Sequence, residues 1–167
     1  MYKALEKFNN IIVSGPQRSG TRIAAKIIAY DTGKPYVDET EINSHDFIEL
    51  KKRLKRGNAV IQCPALCNML HLITDLSTLI IVMRRSVDQI MASEKRIGWD
   101  KWFMYQELHK YGRTDGVISK IKYDFWETIQ KPILKDRARE IIYSDLKNHP
   151  LFIEKSKRAK FKWNQTE

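Results

Sequence analysis

The sequence predicts an α/β protein in which helices cover both faces of a mostly parallel sheet of about five strands, a three-layer α/β/α arrangement. Three observations predict it. Short apolar runs alternate with longer segments of helical periodicity along the 167 residues. Thr78-Leu79-Ile80-Ile81-Val82-Met83 is apolar from Leu79 onward, as a central strand covered on both sides must be. The apolar run Ile11-Ile12-Val13 passes through a glycine-bounded loop directly into a helix start.

Taken in order, Ile11–Val13 is the first strand, and a helix follows over about Thr21–Tyr30, with Ala24 and Ala25 small enough to approach the sheet and Gly33 to stop it. Pro35–Asp38 reads as a second strand that delivers Asp38, Glu39 and Glu41 to its carboxyl end. Ser44 is placed to cap the next helix, which Gly57 ends. Ala59–Gln62 is a third buried strand, broken by Pro64, and Leu66–Leu72 is helical. Thr78–Met83 ends on Arg84-Arg85, after which Ser86 and Gln89 form a capping box for another helix. Trp99 to Asp136, rich in aromatics at helical spacing, reads as two helices separated by a turn at Gly112–Gly116. Glu140–Tyr143 is the last strand.

A chain of this length buries about two thirds of its unfolded surface, enough for one domain spanning 1–167. A basic aromatic tail over about 151–167 carries Lys155, Lys157, Arg158, Lys160 and Lys162 around Phe161 and Trp163. No segment approaches the ~18 apolar residues of a membrane span, which leads us to expect a soluble, cytoplasmic protein. Thirty Lys/Arg against twenty Asp/Glu give a net charge of +10, so anionic ligands are favoured over cationic ones. Cys63, Cys67 and His71 lack a second ligand pair and Pro64 interrupts their spacing, so buried thiols rather than a metal site are expected.

The candidate site starts at Gly15-Pro16-Gln17-Arg18-Ser19-Gly20-Thr21-Arg22. A strand, a glycine-bounded loop and a helix start bring backbone N–H groups and the positive helix end onto one anion. The spacing Gly15-x4-Gly20 is that of a nucleotide P-loop. Such a loop places Lys and then Ser/Thr after its second glycine, whereas here Thr21 and Arg22 follow and the strong cation sits earlier, at Arg18. In open sheets of this class ligands lie beyond the carboxyl ends of the strands, where Arg18, Asp38, Gln62 and Arg84/Arg85 converge.

The Arg-Ser-Gly-Thr loop resembles the phosphosulfate-binding loop of sulfotransferases, and two further segments resemble the same family. Ile80 to Ser93 is similar to its second nucleotide-binding segment, in which an Arg and a Ser hold the 3′-phosphate of 3′-phosphoadenosine 5′-phosphosulfate. The usual Arg-to-Ser spacing pairs Arg85 with Ser93, and the usual Arg-to-Asp spacing pairs Arg84 with Asp88, so both arginines stay candidates. Tyr143-Ser144-Asp145-Leu146 with Pro150 resembles the segment after the family's last core strand. The resemblance implies the same P-loop-like fold and binding of this co-substrate by Gly15, Gln17, Arg18, Ser19, Gly20, Thr21, Arg22, Arg84, Arg85 and Ser93, without a metal. The chain is shorter than the family, and Gln62 stands where many members carry a histidine base.

Glutamine does not act as a base; the resemblance implies instead an acid from elsewhere in the cleft, as in other branches of the family, and Asp38, Glu39 or Glu41 after the second strand are the best placed, with Arg18, Asp38 and Glu39 as the catalytic set. The expected reaction is sulfuryl transfer to a hydroxyl or amine of an acceptor. Two alternatives remain. A small P-loop kinase shares the loop, helix and Asp after strand two, although Thr21 replaces its lysine. A non-catalytic nucleotide- or RNA-binding protein agrees with the +10 charge.

Overall fold

The computed structural model describes residues 1–43, 46–98 and 116–153. Its centre is a sheet of five strands, β1 (Asn10–Ser14), β2 (Tyr36–Val37), β3 (Ala59–Gln62), β4 (Thr78–Arg84) and β5 (Ala138–Ile142), in the spatial order β2-β3-β1-β4-β5. Every pairing is parallel, with Ile12 opposite Ile61 on one side and Ile80 on the other. The expected α/β class and strand number are both found. All five carboxyl ends therefore lie on one edge.

Successive residues of a strand point to opposite faces, and both faces are dry here. Ile11 and Val13 pack with Ala24, Ala25, Ile27 and Ile28 of helix α1 (Thr21–Thr32), which carries its apolar residues at helical spacing. Ile12, Ile61, Ile80 and Val82 point the other way, against Leu50 and Leu54 of α2 (Phe47–Arg56), Ile90 of α3 (Val87–Arg96) and the wholly buried Trp126. The two alanines bring α1 close to the sheet, which holds the loop before it at the carboxyl edge.

Several boundaries differ from the sequence reading for identifiable reasons. Ser44 lies outside the described residues, and the cap of α2 is made by Asp46, whose carboxylate accepts from the Ile48 and Glu49 amides. Pro64–Leu72 forms 3₁₀ turns rather than an α-helix. Ser86 accepts from the Gln89 amide as expected, but Gln89 Oε1 faces Arg85 Nε at 3.4 Å. The expected turn at Gly112–Gly116 falls mostly outside the described residues; from Gly116 the chain enters α4 (Val117–Phe125), a π-helical turn Trp126–Gln130 and α5 (Lys131–Leu134). Strand β5 begins two residues before the expected Glu140, because its pairing with β4 runs from Ala138 to Ile142 while Arg139, Glu140 and Ile142 stay exposed at the sheet's edge. Of the basic tail, α6 (Pro150–Ile153) packs Leu151 into the core and the rest lies outside the described residues. Cys63 and Cys67 are both buried free thiols. No helix among the described residues is long and apolar enough to cross a membrane.

Candidate active site

The loop between β1 and α1 is set by backbone conformation. Arg18 adopts a left-handed φ of 64° and Gly20 a φ of 101°, and the Ser19 amide closes a turn onto Pro16 O at 3.1 Å. A Cβ on Gly20 would overlap the Tyr143 ring, and one on Gly15 would press on Met83 O, so both glycines are required by close approach as well as by φ. Gly20 occupies the cap position of α1 and no side chain caps that helix, which leaves first-turn N–H groups to a ligand or solvent.

Side chains from four elements surround this loop. Arg18 Nε donates to Ser93 Oγ at 3.2 Å, and Arg85 Nη1 donates to the Arg18 carbonyl at 2.9 Å while its guanidinium stacks 4.2 Å over the Tyr143 ring. The second motif is thus brought against the first. Arg84, one residue earlier, points away: it stacks over Tyr123 at 4.3 Å and pairs with Glu127 at 3.1 Å. The Tyr123 hydroxyl accepts from the Arg85 amide at 3.0 Å and lies 3.1 Å from Met83 O, clamping the turn in which the two arginines diverge. Of the two arginines left open by the sequence, Arg85 reaches the loop.

A cleft of about 440 Å³ opens over the loop, lined by Gln17, Arg18, Gly20, Thr21 and Arg22 of the loop and helix start, by Glu39 and Gln62 from the β2–β3 side, and by Arg85, Ser93 and Arg96 from the β4 side. A second hollow of about 490 Å³ continues from it past Arg85, Ser93 and Arg96 to Lys147 and Phe152. Burial and the neighbouring charges of Arg96, Arg85 and Arg22 lower the pKa of Arg18 from its ordinary value, the sign of cations crowded into one place. The Ser19 hydroxyl is buried with no hydrogen-bond partner among the described residues. The crowded guanidiniums and the uncapped helix start are hydrogen-bond donors beside this cleft, which the buried Ser19 does not line.

The acids at the β2 end have separate environments. Asp38 Oδ2 accepts from Tyr36 at 2.7 Å and meets Arg22 Nε at 3.2 Å, and its Oδ1 accepts from the Thr40 amide. Burial raises its pKa, but the Tyr36 and Thr40 hydrogen bonds and the Arg22 charge outweigh that, leaving it below the usual carboxylate range. Glu39 goes the other way: burial first, then the Asp38 charge, raise its pKa against the pull of Arg22 and Gln62. Its Oε2 is buried without a hydrogen-bond partner. Two adjacent carboxylates are thus shifted in opposite directions by their surroundings. Gln62 Nε2 lies 3.4 Å from Thr21 Oγ1, linking the acid side to the loop.

Asp38 itself is not among the residues lining the cleft; it holds Arg22 and Tyr36 in place behind it. Residues that the sequence reading did not single out are Arg96, Lys26 and Lys147. Arg96 was within reach: Gln89, Ser93 and Arg96 are spaced to share one face of α3. Lys147 follows β5 in 3₁₀ turns and carries no such signal.

Neither a protein-family model nor a curated protein sequence matches this chain. Among solved structures, shikimate kinase from Acinetobacter baumannii in complex with shikimate is similar, with a TM-score of 0.53 over 84% of this chain and 86% of that one at 14% identity. The fold is P-loop-kinase-like. Sulfotransferases share that fold, and no family match singles them out.

Proposed function

We propose that the protein is a nucleotide-dependent transferase that moves a sulfuryl group from 3′-phosphoadenosine 5′-phosphosulfate to a hydroxyl or amine. The observation that carries this reading is the contact of two separate motif segments across one basic cleft, Arg18 with Ser93 and Arg85 with the Arg18 carbonyl. A nucleoside with phosphates on the 3′ and 5′ oxygens of one ribose calls for two donor clusters only a ribose apart, and two adjoining hollows that share Arg85, Ser93 and Arg96 support this reading. The loop also lacks the lysine that a Walker loop places on the β- and γ-phosphates, with Thr21 there instead.

In this reading Arg18, the loop amides and Thr21 hold the phosphosulfate end and stabilise charge on the oxygen that the sulfuryl group leaves. Arg85 with Ser93 and Arg96 holds the other phosphate. Glu39 takes the proton of the attacking hydroxyl as the new S–O bond forms and the old one breaks, and its raised pKa makes it a stronger base than an ordinary carboxylate. Asp38, already engaged, fixes Arg22 and Tyr36 rather than moving a proton.

A small-molecule kinase is the second reading, and the likeness to shikimate kinase speaks for it, whereas no comparison speaks for sulfuryl transfer. The loop chemistry and the fold likeness thus favour different donors. Thermal stabilisation separates them: a ligand at a hundred times its dissociation constant adds about 2.7 kcal/mol. Adenosine 3′,5′-bisphosphate is expected to shift the melting temperature and ATP with Mg²⁺ to leave it unchanged. A larger shift with Mg-ATP assigns the kinase, and a shift with oligonucleotide alone, lost steeply with salt, assigns nucleic-acid binding.

A further inference from the structure

The second hollow carries a cation that the cleft over the loop does not. Arg18 borders only that cleft, Arg85, Ser93 and Arg96 border both spaces, and Lys147 borders only the hollow beyond them. Three cations from separate parts of the chain, Arg85 just after β4, Arg96 on α3 and Lys147 after β5, thus line a space of about 490 Å³ with no acid among the described residues of its wall. Lys147 is tethered there from both sides. Its segment, the 3₁₀ turns Tyr143–Asn148, begins with the ring that lies against Gly20 and under the Arg85 guanidinium. One residue before Lys147, Leu146 is wholly buried in the core shared with α1. Two residues after it, the nearly buried His149 sets its Nε2 3.1 Å from Asp31 Oδ1 near the end of α1. The backbone at Lys147 is therefore held in place while its side chain stays exposed, so the ammonium reaches an anion in the hollow without unmaking a core contact.

From this placement we infer that Lys147 is a specificity-determining residue: it binds the phosphate on the ribose 3′ oxygen and so distinguishes a nucleoside 3′,5′-bisphosphate from a 5′-monophosphate. The loop end holds the 5′-phosphate of either nucleotide, because Arg18, Thr21 and the first-turn amides of α1 meet it there. A second phosphate gains from a wall whose charged groups are all cations. Lys147, absent from the cleft over the loop, acts on that phosphate and not on the first. The inference rests on the donor reading above and deepens it, because Arg85, Ser93 and Arg96 border both spaces and do not by themselves separate one phosphate from two.

The test titrates the full chain calorimetrically, at one fixed salt concentration, with adenosine 3′,5′-bisphosphate and with adenosine 5′-monophosphate. The wild-type protein is expected to bind the bisphosphate more than about tenfold tighter than the monophosphate, the scale of one charge-assisted hydrogen bond. Lys147→Met keeps the stem and removes the charge; it is expected to weaken the bisphosphate about tenfold and to leave the monophosphate within about twofold. Lys147→Arg is expected to keep the preference, since it restores the cation. Monophosphate binding in each variant reports that the loop end is folded. A bisphosphate preference that survives Lys147→Met undiminished overturns the inference, and so does an equal loss for both nucleotides, which marks a general field or a misfolded variant rather than a contact. A wild-type protein that does not bind the bisphosphate, or binds both nucleotides equally, fails the donor reading and the inference with it. The first kind of failure is read from the variant and the second from the wild type, so the two are distinguishable.

Discussion

Truncating Arg85 and Arg84 one at a time removes the same guanidinium from consecutive positions with different surroundings. Arg85 borders both hollows and donates to the loop carbonyl of Arg18 at 2.9 Å, so Arg85→Ala removes a cation from the ligand and a brace from the loop. One hydrogen bond to a charged group is worth about 1.5–3 kcal/mol, or roughly 10- to 150-fold in Kd for adenosine 3′,5′-bisphosphate. Arg84 contributes elsewhere. Its ion pair with Glu127 joins side chains that are 30% and 41% exposed, worth about 0–1 kcal/mol, and its stacking on Tyr123 adds about 0.5–1 kcal/mol. Arg84→Ala should therefore cost about 0.5–2 kcal/mol of folding stability and change bisphosphate affinity by less than about 0.5 kcal/mol, the usual scatter between independent sites. Calorimetric titration at one fixed salt concentration gives the affinities, and chemical denaturation gives the stabilities. An affinity loss in Arg84→Ala equal to or greater than that in Arg85→Ala would refute the assignment of Arg85 to the nucleotide.

Arg18→Ala is expected to weaken the bisphosphate by about 1.5–3 kcal/mol in the same titration, and unchanged affinity removes Arg18 from the site. Tyr123→Phe leaves the Arg85 amide without its phenolic acceptor, so bisphosphate Kd should rise about 2- to 12-fold with the fold intact by circular dichroism. Because the Glu39 pKa is raised, turnover should increase with pH through that elevated value as the base loses its proton; Glu39→Gln should lower kcat by about 10²–10⁴-fold and flatten the profile. The same shift has a sign for stability: the folded state holds the Glu39 proton more tightly than the unfolded one, so this carboxyl favours folding less as pH rises from the unfolded to the folded pKa, and Glu39→Gln should stabilise the protein at neutral pH. Gly20→Ala should destabilise the loop through both its left-handed φ and the overlap with Tyr143, and denaturation midpoints of Gly20→Ala with and without Tyr143→Ala separate the two terms.

Most of the scaffold was legible in local patterns. The runs at 11–13, 59–62 and 78–83 are apolar because parallel strands are covered on both faces, and Gly15 and Gly20 punctuate the loop because no other residue fits there. Strand β5 was harder to place, since an edge strand exposes Arg139 and Glu140 and so loses the apolar signal that marks a buried one. The cap of α2 was assigned to Ser44 rather than Asp46, two polar residues that local propensity does not separate.

By itself the sequence determined the fold class, the glycine-bounded loop between the first strand and its helix, and the presence of acids at the second strand's end, because each is carried by residues adjacent in the chain. Tertiary structure alone decided between neighbours of equal chemistry. Arg85 rather than Arg84 faces the loop because Tyr123, 38 residues away, clamps the turn between them. The Asp38 pKa is lowered and the Glu39 pKa raised because Tyr36 and Arg22 reach one carboxylate, while an oxygen of the other is buried without a hydrogen-bond partner. Such choices depend on hydrogen bonds and burial between elements distant in sequence, and these exist only once the sheet has brought its carboxyl ends together.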